Sequence, residues 1–222
     1  MAPVRIAVVN DYEIVVAGVA MLLSQFPERV NVVELDAGEP VISDVDVVLY
    51  DTFGQVQGDS FDLDGLVKDG TAKIAVFSWN LQEELVERAM ARGASGYLSK
   101  GLNAEEIVEC LEAIHRGETV IATRPQDDAA ADEPGNWPGR ALGLTQRESE
   151  VLALITQGLT NQEIADRAYL SINSVKTYIR TAYRKIGVNR RSQAVSWGID
   201  HGFRPQRGRL AETEVAQAPP VG

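Results

Sequence analysis

Over the first 122 residues, short unbroken apolar runs alternate with stretches in which apolar positions recur every three or four residues. The runs "RIAVV" (5–9), "VNVVEL" (30–35), "VDVVLY" (45–50), "KIAVF" (73–77) and "GYL" (96–98) read as strands buried on both faces. The periodic stretches predict helices at about 13–25, 62–68, 81–92 and 103–116, the last with Asn103 as N-cap and Glu106 three positions on. Strand and helix in turn make an α/β fold, a parallel sheet with helices on both faces. One crossover is short. Only Asp36 to Asp44, with Pro40 between them, separates the second and third strands, so an irregular connection with less than two turns of helix is expected.

The texture then changes. Residues 124–141, "RPQDDAAADEPGNWPGRA", carry three prolines, two glycines and four acids without periodicity, which predicts a flexible linker in which Trp137 docks on a neighbouring surface or is loosely held. From Leu144 to about Phe203 the pattern is helical throughout. Thr145 with Glu148 and Thr160 with Glu163 are two capping boxes, Ser171 can cap a third helix, and Gly158 and Gly187 are natural stops. Two short helices, a tight turn at Tyr169–Leu170 and a longer helix predict a helix-turn-helix. The domains expected are therefore 1–123, a linker at 124–141, a helical unit at 142–204 and a disordered tail at 205–222.

Composition narrows the setting. No apolar run reaches the roughly 18–20 residues that span a bilayer, and the cytoplasm is the default expectation. Cys110, the sole cysteine, excludes an intrachain disulfide and reads as helix packing; with only two histidines beside it, a zinc site is not expected. The net charge of −11 hides an asymmetry. Residues 1–125 hold 9 Lys/Arg against 21 Asp/Glu, whereas residues 142–204 hold 9 against 5, which points to a polyanionic partner for the second half alone.

The third helix of that half sorts its residues by face. Val175, Tyr178, Ile179, Ala182 and Ile186 fall at inward spacings, and Lys176, Thr177, Arg180 and Arg184 fall on the opposite face with no acid among them. Such a face suits the major groove of double-stranded DNA. Residues 144–188 closely resemble the DNA-binding domain of LuxR-type regulators, as carried by NarL/FixJ-type response regulators. The resemblance implies a four-helix all-α domain in which Lys176, Thr177 and Arg180 face bases and Thr160, Asn161 and Ser174 lie near phosphates. It further implies that a fourth helix, at about Arg191 to His201, helps to form a homodimer.

A domain of this kind on a βα half is similar to a two-component regulator, and residues 3–122 resemble its receiver domain. The matching residues all stand at strand ends: Asn10-Asp11, Asp51, Ser78 and Lys100. The resemblance implies a flavodoxin-like, doubly wound parallel sheet of five strands in the order 2-1-3-4-5. It makes Asp51 the phosphoacceptor for a sensor histidine kinase, Ser78 and Lys100 the holders of phosphoryl oxygens, and Tyr97 the switch aromatic. Mg²⁺ is then bound by Asp11, Asp51 and the Phe53 backbone carbonyl, with Asn10 acting through water. Several positions depart from the family: Asn10 replaces an acid, Trp79 a small residue, Gly54-Gln55 a Met-Pro pair and Gly101 a proline.

Two other functions stay open from the sequence. One is a DNA-binding regulator that works without phosphorylation, its receiver serving dimerisation or ligand sensing, which the Asn10, Trp79 and Gly54-Gln55 departures favour. The other is a haloacid-dehalogenase-like phosphohydrolase with Asp51 as nucleophile, against which Phe53 stands where such enzymes need an acid. No GxSxG, Walker A or HExxH pattern points to an enzyme.

Overall fold

The structure is a computed structural model, and it describes residues 2–37, 41–53, 72–123, 137–203 and 208–210. Strands β1 (Val4–Val9), β2 (Val30–Ala37), β3 (Val47–Asp51), β4 (Lys73–Ser78), β5 (Gly96–Ser99), β6 (Val120–Ala122) and β7 (Gly208–Leu210) form one sheet in the order β6-β5-β4-β3-β1-β2-β7. The expected 2-1-3-4-5 core is present and entirely parallel. Two further strands extend it. β6 pairs parallel with β5, and β7 pairs antiparallel with β2, so at least residues 208–210 of the tail are ordered, contrary to expectation. Three residues that begin with a glycine and closely follow Pro205 give a single sequence little strand signal, and only the open edge of β2 supplies partners.

The sheet is buried on both faces and its strands alternate between two cores. Ile6, Val8, Val47, Leu49, Ala75, Phe77 and Leu98 pack with helices α1 (Glu13–Leu23) and α3 (Ala104–Arg116), beside which the half-buried Cys110 also packs. Ala7, Val9, Val48 and Tyr50, then Val76 and Tyr97 with α2 (Glu83–Ala91), face the other way. Asp51 continues the Val47, Leu49 series, so the period of two aims its side chain toward the α1/α3 side at the carboxyl end of β3.

Between β2 and β3 the described residues 41–46 contain no helical turn, as the residue count required. The work of a helix is done by one side chain. Glu34, buried in β2, accepts hydrogen bonds from the backbone N–H groups of Ile42 (3.0 Å) and Ser43 (2.6 Å) and so satisfies part of the connection. The expected helix at 62–68 and the Gly54-Gln55 departure lie outside the described residues.

The helical unit contains α4 (Gln146–Thr156), α5 (Asn161–Ala168), α6 (Ile172–Ile186) and α7 (Arg191–Asp200). Both capping boxes form, and Ser171 accepts from the N–H of Ser174 at 3.0 Å. The α5–α6 turn closes through Tyr169 at φ 52°, the one non-glycine with positive φ among the described residues. The unit begins earlier than expected. Trp137 is buried, its indole N–H donates to Leu144 O at 2.9 Å, and the Arg140 guanidinium covers its ring at 4.7 Å. Ser149 Oγ donates to Pro138 O at 2.7 Å, which fastens the same segment to α4. Residues 137–141 thus belong to the helical fold rather than to a flexible linker.

The two halves pack against each other. Tyr12, Val15 and Phe53 of the α/β half enter the hydrophobic core of the helical unit. Around this contact Gln157 Nε2 donates to Tyr12 Oη at 2.7 Å, Asn80 Nδ2 to Ala168 O at 3.3 Å and Gln82 Nε2 to Tyr169 O at 3.1 Å. Helix α4 is covered on more than its apolar side, with Gln146, Glu148, Ser149 and Glu150 all buried.

Candidate functional site

Strand register assembles the site. Asp51 is opposite Phe77 on β4, Ser78 is opposite Ser99 on β5, and the chain steps from Ser99 directly to Lys100. Lys100 Nζ donates to Asp51 Oδ1 at 2.6 Å, and each side chain is only 2% exposed. The Phe53 N–H donates to the same oxygen at 2.7 Å, and the Asn10 amide approaches it at 3.4 Å. Oδ2 takes no part in these bonds. Burial pushes the Asp51 carboxyl above the ordinary carboxylate value, opposed first by the Lys100 charge and its hydrogen bond, then by the Phe53 N–H, while Glu150 of α4 pushes it further up. Glu150 is itself held by Arg147 at 2.9 Å.

Asn10 explains its own departure from an acid. Its Oδ1 accepts from the Tyr12 N–H at 2.9 Å, and its Nδ2 donates to Asp51 O at 2.8 Å and Phe53 O at 3.0 Å. An aspartate has no donor for those two carbonyls, so the amide stitches the ends of β1 and β3 together. Asp11, half-buried at the same edge, makes none of the hydrogen bonds described for Asp51. Among the described residues no three His, Cys, Asp or Glu side chains cluster as a metal site. The oxygen donors present, two carboxylates and a carbonyl already bonded to Asn10, suit only a hard cation that keeps several waters.

Ser78 is buried beside this pair. Its hydroxyl accepts from Thr52 Oγ1 at 2.9 Å and from the Asn80 N–H at 3.1 Å. Tyr97, on the opposite face, donates from its hydroxyl to Asn80 O at 2.6 Å, and burial raises its pKa. Asn80 in turn reaches the carboxyl end of α5 in the helical unit, so the sequence-predicted Ser78 and Tyr97 meet at a residue that sequence reasoning did not single out. Its signal was slight: one polar residue directly after Trp79.

On the helical unit, Lys176, Thr177, Arg180 and Arg184 are all exposed along one face of α6, while Val175 and Ala182 are buried and Tyr178, Ile179 and Ile186 are half-buried against the core. Docking of the two halves leaves this face open. Thr160 and Ser174 serve as cap partners at the starts of α5 and α6, and Asn161 Oδ1 accepts from Arg191 Nη1 at 3.1 Å. Arg191 also donates to Leu159 O, and Lys185 bridges to the buried Glu148 at 2.6 Å, tying α6 to α4. No described helix is long and apolar enough to cross a membrane.

Residues 142–197 match the model of bacterial regulatory proteins of the luxR family. The chain is 31% identical over 204 residues to the nitrate/nitrite response regulator protein NarL of Escherichia coli, covering 88% of this chain and 94% of that protein. It is 30% identical over 215 residues to the DNA-binding transcriptional activator DevR/DosR of Mycobacterium tuberculosis, covering 89% and 94%. Against the transcriptional regulatory protein DegU of Brevibacillus brevis the identity is 28% over 223 residues, covering 90% and 94%.

Proposed function

The chain belongs to the NarL/LuxR-type family of two-component response regulators, and we propose that phosphorylation of Asp51 by a partner histidine kinase controls its binding to DNA. It is a DNA-binding transcriptional regulator, not an enzyme. The observation that carries the Asp51 assignment is the buried Asp51–Lys100 pair at the carboxyl edge of the sheet, where ligands of doubly wound folds bind. With Oδ1 held by Lys100 and the Phe53 N–H, Oδ2 is the attacking oxygen. A new O–P bond forms as the P–N bond of the donor phosphohistidine breaks, and the electron pair leaves with the imidazole nitrogen. Asp11, Asp51 and the Phe53 carbonyl are the residues to hold Mg²⁺, which when bound neutralises phosphoryl oxygens. Lys100 and the Ser78 hydroxyl then bind the transferred group.

The α6 face reads the major groove, with Lys176 and Arg180 to base edges and Arg184 to phosphates, in a homodimer that uses α7. This face is already exposed while the halves are docked, which supports control through dimerisation rather than through unmasking of α6. The test is intact mass after incubation with Mg²⁺ and a phosphodonor, beside operator binding by wild type and Asp51→Asn. One added phosphate on wild type, none on the variant, and tighter operator binding by the phosphorylated form are expected. No label with any donor or kinase, together with unchanged binding by Asp51→Asn, leaves a regulator that works without phosphorylation.

A further inference from the structure

Resting on that reading, we infer that the phosphoryl group on Asp51 is bound by two side chains outside the receiver's usual set, the indole N–H of Trp79 and the carboxamide of Gln146. Gln146 comes from the DNA-binding half, so that half would touch the phosphoryl group directly.

The inference starts from a small cavity beside Asp51 that opens to solvent. Apolar side chains of α1 together with Phe77, Leu102 and Ile107 form most of its wall, and its polar lining is Asp51, Lys100, Trp79 and Gln146. Trp79 is 6% exposed and Gln146 9%. Each carries a buried polar atom with no hydrogen-bond partner, Trp79 Nε1 and Gln146 Oε1, and among the described residues these are the two such side-chain atoms. Buried polar atoms are nearly always paired, so two residues that line one cavity and each carry an orphan mark a place where a polar group belongs. An indole N–H can only donate, and what it needs is an acceptor. A carboxamide presents its oxygen or, after a half-turn of its last torsion, its –NH₂.

An aspartyl phosphate supplies what is missing. Its three outer oxygens are strong acceptors, and in a cavity with apolar walls hydrogen bonds to an anion are strengthened. Lys100 already stands at the mouth of the carboxylate, the Trp79 N–H adds a second donor, and rotation of the Gln146 amide adds a third. The large residue at position 79 then has a positive role. It is the wall of the cavity and a ligand to its contents. Gln146 opens α4, an 11-residue helix whose first turn is pinned by the Thr145–Glu148 box, so the amide is held at the receiver edge by a rigid element. Phosphorylation would thereby strengthen the docked arrangement rather than dissolve it, and the enclosed acyl phosphate would be shielded from water.

The experiment uses the full chain. Wild type, Trp79→Phe and Gln146→Ala are phosphorylated with phosphoramidate or acetyl phosphate in Mg²⁺, and the half-life of the acyl phosphate is followed by intact mass. Trp79→Phe keeps an aromatic ring and loses the N–H, and Ala is a good helix former at position 146. Each variant is expected to shorten the half-life about three- to tenfold. A second readout separates ligation from packing: the ¹H–¹⁵N resonance of the Trp79 indole, identified by its loss in Trp79→Phe, on addition of beryllofluoride. It should move downfield in wild type, stay put with inorganic phosphate alone, and stay put in Asp51→Asn. Wild type that is phosphorylated, with both variants within twofold of its half-life and the indole resonance unmoved, overturns the inference and leaves the phosphorylation reading standing. Wild type that accepts neither a phosphoryl group nor beryllofluoride overturns both. A shift produced by inorganic phosphate in Asp51→Asn overturns the inference by making the cavity a site for free anions.

Discussion

Replacing Lys100 by Met removes a charge from one of the most enclosed places in the molecule while keeping the length of the side chain. The pair it breaks has an N–O distance of 2.6 Å with both side chains 2% exposed, so solvent cannot take over the role of the cation. Leaving the carboxylate charged costs about 3–5 kcal/mol, the usual penalty for an orphaned buried ion. The alternative is protonation of Asp51, which from its ordinary pKa of 3.8 costs about 1.4 kcal/mol per pH unit, or roughly 5 kcal/mol at pH 7.5. The two limits are close, so a loss of about 3–5 kcal/mol is expected at pH 7.5. The sign of its pH dependence follows. Without Lys100 the folded-state pKa of Asp51 rises further above its unfolded value, so the penalty is absent below the unfolded pKa and grows as pH rises toward the folded one. It should therefore shrink by up to about 1.4 kcal/mol for each unit of acidification. Adding Asp51→Asn should recover most of the loss. What it cannot recover is the contact of the ammonium with the Phe53 and Phe77 rings, at 5.7 and 5.6 Å, of about 1 kcal/mol each. Urea unfolding at pH 5.5, 6.5 and 7.5, followed by circular dichroism, measures all three chains. A penalty below 1 kcal/mol that does not vary with pH, or a double variant no better than Lys100→Met, would refute a buried ion pair at this site.

Lys176→Ala and Arg180→Ala should each weaken operator binding by about 1–3 kcal/mol and weaken binding to random DNA less, in titrations at fixed salt. Lys185→Met should destabilise the helical unit by about 1–2 kcal/mol at pH 7 and by less at pH 4. Glu148 is raised by burial but lowered overall, with Lys185 the leading cause, so the stability it contributes is present above its ordinary 4.5 and lost as pH falls through the depressed folded value; thermal melts at both pH values check this. Asn80→Ala with Gln82→Ala removes two hydrogen bonds between the halves, at about 1 kcal/mol each, and should raise amide exchange in α4 and at Ala168 and Tyr169 without changing far-ultraviolet dichroism.

What the sequence made legible follows from which interactions are local. Strand cores, capping boxes and the two faces of α6 depend on residues a few positions apart, so their pattern survives in one dimension. The placement of Asp51, Ser78 and Lys100 was readable because each directly follows an apolar strand and parallel strands end at one edge. Less legible was everything made by a distant partner. Glu34 read as a strand residue, and only the fold shows it bonding the next connection. Gln146 and Glu150 are polar residues that no local pattern marks as buried, yet both are enclosed beside the Asp51 edge of the receiver. Asn10 looked like a lost acid until Asp51 O and Phe53 O supplied its acceptors. Strand β7 was invisible for the same reason, since its identity lies in the unpaired edge of β2 some 170 residues earlier, an approximate separation that no local pattern spans.

That last strand also sets a leash. Phe203 is fully buried in the helical unit and Gly208 is hydrogen-bonded into the receiver sheet, with five backbone steps between them. At about 3.6 Å per step the end of the helical unit stays within roughly 18 Å of the β2 edge while β7 holds. The DNA-binding half is thus looped between two attachments to one body, and its effective concentration at the docking surface stays high however often the contact breaks. Small excursions that admit a phosphodonor need only the interface to part. A wide swing, of the kind needed to reach a distant half-site, requires β7 to peel from the sheet as well, which makes this three-residue strand a regulator of reach.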